Sequence, residues 1–244
     1  MKLSNRLRFV AAMTALLWAC ATGSAWAADP LEITVFGGTG NIGSRIVAEA
    51  LQRGHQVTVI SRDPARATKD NPGSSTKQGD VLDSQRVAEL AAGQDVVISA
   101  VGAGRADNPD YTIYRKAAVS LVKAMRTLEG KAPRLLVVGG AGSLEVAPGV
   151  LLASKLPEAI RPELMGQMAA LDYYRTVSDV KWTYFSPAGR IAPGERTRKF
   201  RLGGDQLVTD AKGESRISME DYAVAMIDEA ERAQHVGRRF TIGY

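Results

Sequence analysis

At 244 residues, with 45% hydrophobic and 23% charged side chains, the chain has the composition of a folded domain with one substantial core, which sets aside disorder and repeat arrays. Its formal charge of +5 does not point to nucleic acid. Three of the 31 basic residues, Lys2, Arg6 and Arg8, lie in an opening segment without acids, leaving 28 against 26 acidic residues in the whole chain.

The opening segment reads as an export signal: cationic start, apolar stretch from Phe9 to Ala19, then Ala25-Trp26-Ala27 before Ala28-Asp29-Pro30. Cleavage after Ala27 would leave residues 28–244 as one domain without a membrane helix, since the apolar stretch is shorter than the ~20 residues that span a bilayer. Two alternatives stand beside this. Leu17-Trp18-Ala19-Cys20 loosely resembles a lipid-attachment site, although Trp18 is bulky for one, and a misassigned start would leave the protein in the cytoplasm. Cys20 is the sole cysteine, so an exported, cleaved protein has no thiol.

From Leu31 onward, β-branched runs alternate with helical patterns, which predicts βαβ units in a doubly wound α/β parallel sheet. Strands are expected at 31–36, 56–60, 75–78, 95–101, 134–138 and 181–185. Helical spacing appears at Ile42, Ile46, Val47 and Ala50, at Val87, Leu90 and Ala91, and at Ala118, Leu121, Val122 and Met125. Toward the C-terminus, Ser215-Arg216-Ile217 reads as a short strand. Ser218 with Asp221 reads as a cap opening a helix to about Ala230, and 239–242 as a closing strand, together a small extension on the substrate side. Three segments do not fit a minimal sheet: 102–109, 139–162 and 187–213. Each begins at the carboxyl end of a predicted strand, where open parallel sheets bind ligands, so they are the expected walls of a site.

The first strand ends in Thr34-Val35-Phe36, and Gly37, Gly40 and Gly43 follow at three-residue spacing with Thr39, Asn41 and Ile42 between them. This order suits a dinucleotide: a tight turn, a backbone that can approach a pyrophosphate, close helix packing, and free N–H groups at a helix start. At the end of the second strand, where an acid would bind an adenosine ribose hydroxyl, stand Ser61 and Arg62; an arginine there pairs with a 2′-phosphate, so NADP(H) is favoured over NAD(H). Asp63 stands either as a second ribose partner or as a cap before Pro64.

The runs ITVFGGTGNIG, VTVISRDP, Gly79-Asp80-Val81-Leu82, VVISAVGAG, LLVVGGAGSLEVAPG, WTYFSPAG and SRISMEDYA occur in this order across 31–244. In them the sequence resembles the atypical, NmrA-like branch of the short-chain dehydrogenase/reductase superfamily, and within it the NADH-flavin reductases related to biliverdin reductase B. The resemblance implies that Asp80 and Val81 flank the adenine, that Ala100, Val101 and Gly102 line a cofactor ribose, that Ser143 lies near the nicotinamide as the candidate catalytic residue, and that Ser186, Pro187 and Ala188 cover the nicotinamide.

Two departures narrow the chemistry. No tyrosine is followed four residues later by lysine: Tyr111 is followed by Arg115, Tyr114 by Ala118, Tyr173 by Val177 and Tyr174 by Ser178. Carbonyl reduction and sugar epimerisation normally use that pair to move a proton. The histidine that the biliverdin-reductase relatives carry after the strand-ending proline is replaced by Ala188-Gly189, and His55 and His235 read as surface or packing residues. No metal site is expected. Hydride transfer to a flavin or quinone-like small molecule needs alignment more than a protein acid, so a reductase of that type is the first reading, with the flavin as substrate. A non-catalytic NADP(H) sensor or assembly protein is the second. Arg196, Arg198, Lys199 and Arg201 either meet an anionic acceptor or are solvated, with Glu195 as a ready partner.

Overall fold

A computed structural model describes residues 29–104 and 109–244; the segment expected to be an export signal, Cys20 included, lies outside the described residues. Strand residues such as Ile33, Thr34, Val35 and Phe36 are buried whichever way they point, as befits a parallel sheet covered on both faces. The first half contains β1 (Glu32–Phe36), α1 (Asn41–Gln52), β2 (Gln56–Ser61), α2 (Pro64–Asp70), β3 (Ser75–Gln78), α3 (Ser84–Ala91) and β4 (Val96–Ser99). The second contains α4 (Ile113–Thr127), β5 (Arg134–Val138), β6 (Glu145–Ala147), β7 (Val150–Leu151), α5 (Arg161–Arg175), β8 (Trp182–Ser186), β9 (Arg190–Ala192), β10 (Arg201–Gly203), β11 (Arg216–Ser218), α6 (Met219–Arg232) and β12 (Arg238–Gly243).

The main sheet has the order β10-β12-β8-β5-β4-β1-β2-β3, parallel except for the edge strand β10. Phe36, Ile60, Val97, Leu135, Val137 and Tyr184 meet α3, α4 and α5 on one face; Ile33, Val59, Ile98, Leu136 and Phe185 meet α1 and α6 on the other. The predicted strands are present with ends moved by one or two residues. The expected cap also forms: the Asp221 N–H donates to Ser218 Oγ at 2.9 Å and opens α6.

Segments 139–162 and 187–213 carry more regular structure than expected. The first forms the β6–β7 hairpin and short 3₁₀ turns, and the second contributes β9, which pairs with β11, and β10, which pairs with β12. Each strand is two or three residues long, too short to show a period.

Two devices hold α6. Its Tyr222 ring stacks on Phe185 at 4.1 Å, Phe185 stacks on Phe240 at 4.0 Å, and Phe240 stacks on His235 at 4.1 Å. His235 is thus a packing residue, paired with the buried Glu229 at 2.7 Å. On the other side, Arg53 joins Glu49 of α1 to Asp228 and Glu231 of α6, and Arg196 grips Glu49 through two hydrogen bonds of 2.7 and 2.8 Å. The partner of the basic run is therefore Glu49, not Glu195, and Arg196 is committed to structure. His55 is likewise a packing residue, 5% exposed, accepting from Leu31 N–H through Nδ1 and meeting Glu231 through Nε2.

Burial by itself would raise the Glu49 carboxyl, but hydrogen bonds and charge from Arg196 and Arg53 outweigh it and hold the group below its ordinary 4.5. A depressed folded-state value gives stability that is complete above the unfolded value and is lost as pH falls through the folded one. Acid denaturation should therefore show a limb beginning near pH 4.5 that Glu49→Gln flattens, and at pH 7 that variant should lose about 3 kcal/mol in urea titration, since it leaves buried cations unpaired.

Candidate functional site

Register places the strand exits side by side: Phe36 lies opposite both Ile60 and Ser99, Ser99 opposite Val137, and Val138 opposite Phe185. The chain leaves β3 at one edge and re-enters at β4, on the far side of β1, so the crevice between β1 and β4 is the switch point where such sheets bind ligands.

The β1–α1 turn fills that crevice with backbone. Gly37 has φ +80°, and a Cβ there would lie 2.7 Å from the Ala100 carbonyl carbon and closer to its oxygen. A Cβ on Gly43 would lie 2.9 Å from the Gly37 carbonyl carbon, again closer to the oxygen. Gly40 differs: a Cβ there would meet only the Gly37 oxygen, at 3.3 Å. Its missing side chain is not demanded by packing, so the room is on the solvent side, at the start of α1. That helix has no side-chain cap at Gly40 and no acid in its first turn, which leaves its positive end open to an anion. Thr39 is half-buried, Asn41 exposed, and Ile42 packs toward the α1–α6 core.

Beside the turn, Ser61 Oγ donates to the Asp63 carbonyl at 2.9 Å and accepts from the Asp63 N–H at 3.1 Å. This tight turn occupies the serine and leaves Arg62 exposed with no ion pair among the described residues. The Gly79 N–H donates to the Ser61 carbonyl, joining the Arg62 turn to Asp80 and Val81. Asp80 is exposed and accepts from the Leu82 N–H, while Val81 is 8% exposed and joins the core beneath. Ala100 and Val101 are half-buried and Gly102 exposed, over the glycine turn.

On the other side of β4, Ser143 follows β5. Its Oγ accepts from Arg239 Nη1 at 3.2 Å, and Arg239 in turn pairs with Asp205, its Nε donating at 2.8 Å. The serine is thus anchored as an acceptor, and its own proton remains available to donate. Ser186, at the end of β8, is fully buried, and its Oγ has no partner among the described residues. Pro187 beside it is buried. The open face at Gly40 and the uncapped α1 are features that a bound dinucleotide would complete.

Sequence reading missed the α4–α5 side. Tyr114 donates to Glu163 at 2.9 Å, and burial, reinforced by that carboxylate, pushes its hydroxyl up to about 12, so it stays protonated at neutral pH. No lysine accompanies it. Gln167 packs against Gly140 while its carbonyl accepts from Tyr184 Oη at 3.0 Å, and Tyr184 Oη accepts from the Gly140 N–H at 3.2 Å. The one legible sign was the Gly139-Gly140 pair straight after a strand. Among the described residues no group of three or more His, Cys, Asp or Glu side chains could hold a metal ion, and no helix is long and apolar enough to cross a membrane.

Comparison with known proteins agrees with this geometry. Residues 37–230 match the family model described as NAD(P)H-binding. The uncharacterized protein YwnB of Bacillus subtilis (strain 168) is 32% identical over 87% of this chain and 98% of its own length. Among solved structures, a Burkholderia pseudomallei protein provisionally named as exported is 43% identical, with TM-score 0.78 over 88% of this chain and 100% of the other. One from Bacteroides thetaiotaomicron, provisionally named an epimerase, is 38% identical with TM-score 0.78 over 88% and 97%. One from Streptococcus pneumoniae TIGR4, provisionally named an NADH-flavin reductase, is 33% identical with TM-score 0.77 over 87% and 99%.

The glycines separate folding from binding. Gly40→Ala should keep the native circular dichroism and melting temperature within a few degrees yet bind NADPH about tenfold more weakly, the equivalent of one charged hydrogen bond. Gly43→Ala should lose melting temperature and binding together. Equal behaviour of the two variants would show that Gly40 faces no ligand.

Proposed function

The chain belongs to the NAD(P)H-binding family, and from that membership we propose an NADPH-dependent reductase that delivers hydride to a flavin or quinone-like acceptor. The observation that carries this reading is the glycine turn, open only at Gly40, beside an exposed Arg62 that has no ion pair among the described residues and could meet a 2′-phosphate. The relative from Streptococcus pneumoniae, named for flavin reduction, supports the choice of acceptor.

When bound, the nicotinamide supplies the hydride. The chain's own residues hold and shield. Gly37 to Gly43 would seat the pyrophosphate, Asp80 and Val81 would flank the adenine, and Ala100 to Gly102 would border the ribose. Ser143, oriented by Arg239, would offer its proton to the carboxamide or the acceptor, and Ser186 with Pro187 would close the nicotinamide side. An electron-poor acceptor takes hydride without a strong protein acid, which accords with the missing Tyr–Lys pair.

We further propose export through residues 1–27, in keeping with the name of the Burkholderia pseudomallei relative. The periplasmic product should begin at Ala28 by intact mass.

NADPH oxidation followed at 340 nm should require added flavin or quinone. Arg62→Ala should raise KM for NADPH about tenfold, the loss of a charge-assisted bond, and leave NADH unchanged; Ser143→Ala should lower kcat. Tight NADPH binding with no turnover on any flavin or quinone would overturn the reductase in favour of a sensor.

A further inference from the structure

Arg239 is the one buried arginine or lysine among the described residues, with a side chain only 2% exposed. It lies on β12 opposite Tyr184 of β8, and it reaches past that strand to the loop after β5. There Nη1 donates to Ser143 Oγ at 3.2 Å, and Nη2 donates to the Ser143 carbonyl at 3.5 Å. Its carboxylate partner, Asp205, stands largely in water: that side chain is 63% exposed and is shared with Arg175 of α5 at 3.3 Å. Backbone bonds already fix the two loops against each other. The Glu145 N–H donates to the Asp205 carbonyl at 2.9 Å, and the Leu207 N–H donates to the Glu145 carbonyl at 2.8 Å.

Folding does not account for this charge. Buried Glu49 lies between two guanidinium groups and joins α1 to a distant loop, and buried Asp221 takes three donors that tie down the chain end. Arg239 instead has a serine hydroxyl on one side and a solvated carboxylate on the other. An apolar residue of similar volume would be as stable there or more so, since burying a cation costs more than a screened partner returns. Water weakens the field of Asp205, while the guanidinium acts on Ser143 from within the low-dielectric interior. The positive potential is therefore felt chiefly at the serine hydroxyl, whose oxygen is occupied by Arg239 and whose proton is free to donate.

We propose that Arg239 is a positioning residue that acts through Ser143: the polarised hydroxyl holds the acceptor oxygen that becomes anionic when hydride arrives, and Asp205 sets the strength of that hold. The inference rests on the reductase reading for its acceptor. In the step, NADPH gives up a hydrogen with two electrons and becomes NADP⁺. The electron pair enters the acceptor ring, whose carbonyl oxygen carries the negative charge until a proton from water neutralises it. A fixed donor aimed at such an oxygen lowers the barrier without itself losing a proton, which is how the chain can dispense with the Tyr–Lys pair.

The experiment is calorimetric titration of the full chain, saturated with NADP⁺, with lawsone, a hydroxynaphthoquinone that is an anion at neutral pH, and with menadione, its uncharged relative. The native protein should bind the anion about tenfold more tightly than menadione, and Arg239→Met should remove that preference while leaving menadione affinity unchanged. Arg239→Lys should restore part of it. Asp205→Asn separates charge from structure. A merely structural Asp205 would, when replaced, weaken both ligands; in the proposed role its replacement tightens the anion about threefold, the size of a screened charge, and raises kcat with menadione. Because its side chain is mostly in water, that variant carries the test alone if Arg239→Met does not fold. No preference for the anion in the native protein, a preference that survives Arg239→Met, or weaker anion binding in Asp205→Asn would overturn the proposal. Anion preference that depends on Arg239 without any NADPH oxidation would retire the reductase and keep the charged serine. NADPH oxidation by a protein that binds both quinones equally would do the reverse.

Discussion

The turn from β1 to α1 has no space for side chains at Gly37 or Gly43, and the rest of the molecule is arranged around that close approach. With the Ala100 carbonyl against Gly37 and the Gly37 carbonyl against Gly43, the exit of β4, the end of β1 and the start of α1 become one rigid piece. A helix fixed at its N-terminus presents a fixed back. Glu49 and Arg53 lie there, and they hold α6 through Asp228 and Glu231 and the 193–199 segment through Arg196. Through the Tyr222–Phe185–Phe240 stack, α6 then positions β8 and β12. One backbone contact thus sets the relative placement of the glycine turn and of the strand end that carries Ser186.

The two helical layers are joined differently. Apolar packing dominates between α4 and α5, where Leu121, Met125, Leu171 and Tyr174 share one cluster. The α1–α6 seam adds ion pairs to its apolar contacts. Buried charges bring little net stability over apolar residues of the same volume, but they tolerate few alternative arrangements once formed. Asp221 follows the same logic: fully buried, it accepts from Thr197 Oγ1, the Arg198 N–H and Tyr244 Oη, tying a long loop and the chain end to the first turn of α6. Two of the four basic side chains of the run 196–201 are consumed in structure, Arg196 by Glu49 and Arg201 by the Tyr244 carbonyl, while Arg198 and Lys199 are held through their backbone N–H groups.

Much of this was legible in the sequence where the determinant is local. β-Branched runs buried on both faces, glycines at three-residue spacing and a serine three residues before an aspartate each act within a few positions of themselves, and the structure places them as read. Local reading failed where a partner is far along the chain. Ser143 is held by Arg239, 96 residues later, and Arg196 pairs with Glu49, 147 residues earlier. The strands β9 and β10 exist because they pair with β11 and β12, and three residues carry no period. The first turns of α5 were illegible for another reason: their apolar side chains face a cleft instead of the core, so the helical stripe is interrupted where the helix borders open space.

That division follows from how each half of the site works. A dinucleotide is gripped largely by backbone N–H groups and by the absence of side chains, and glycine spacing records such a grip in any sequence that folds this way. The other half is built from side chains on a hairpin, a helix start and an edge loop, joined by contacts such as Leu152 to Leu144 and Arg239 to Asp205. Substitutions there leave the glycine turn undisturbed, and relatives with the same fold carry names as different as epimerase and flavin reductase. The loop holding Ser143 lies between the two halves, and its hydroxyl is fixed from the sheet by Arg239. Its orientation by Arg239 ties that loop to β12, and through the ring stack and α6 to α1.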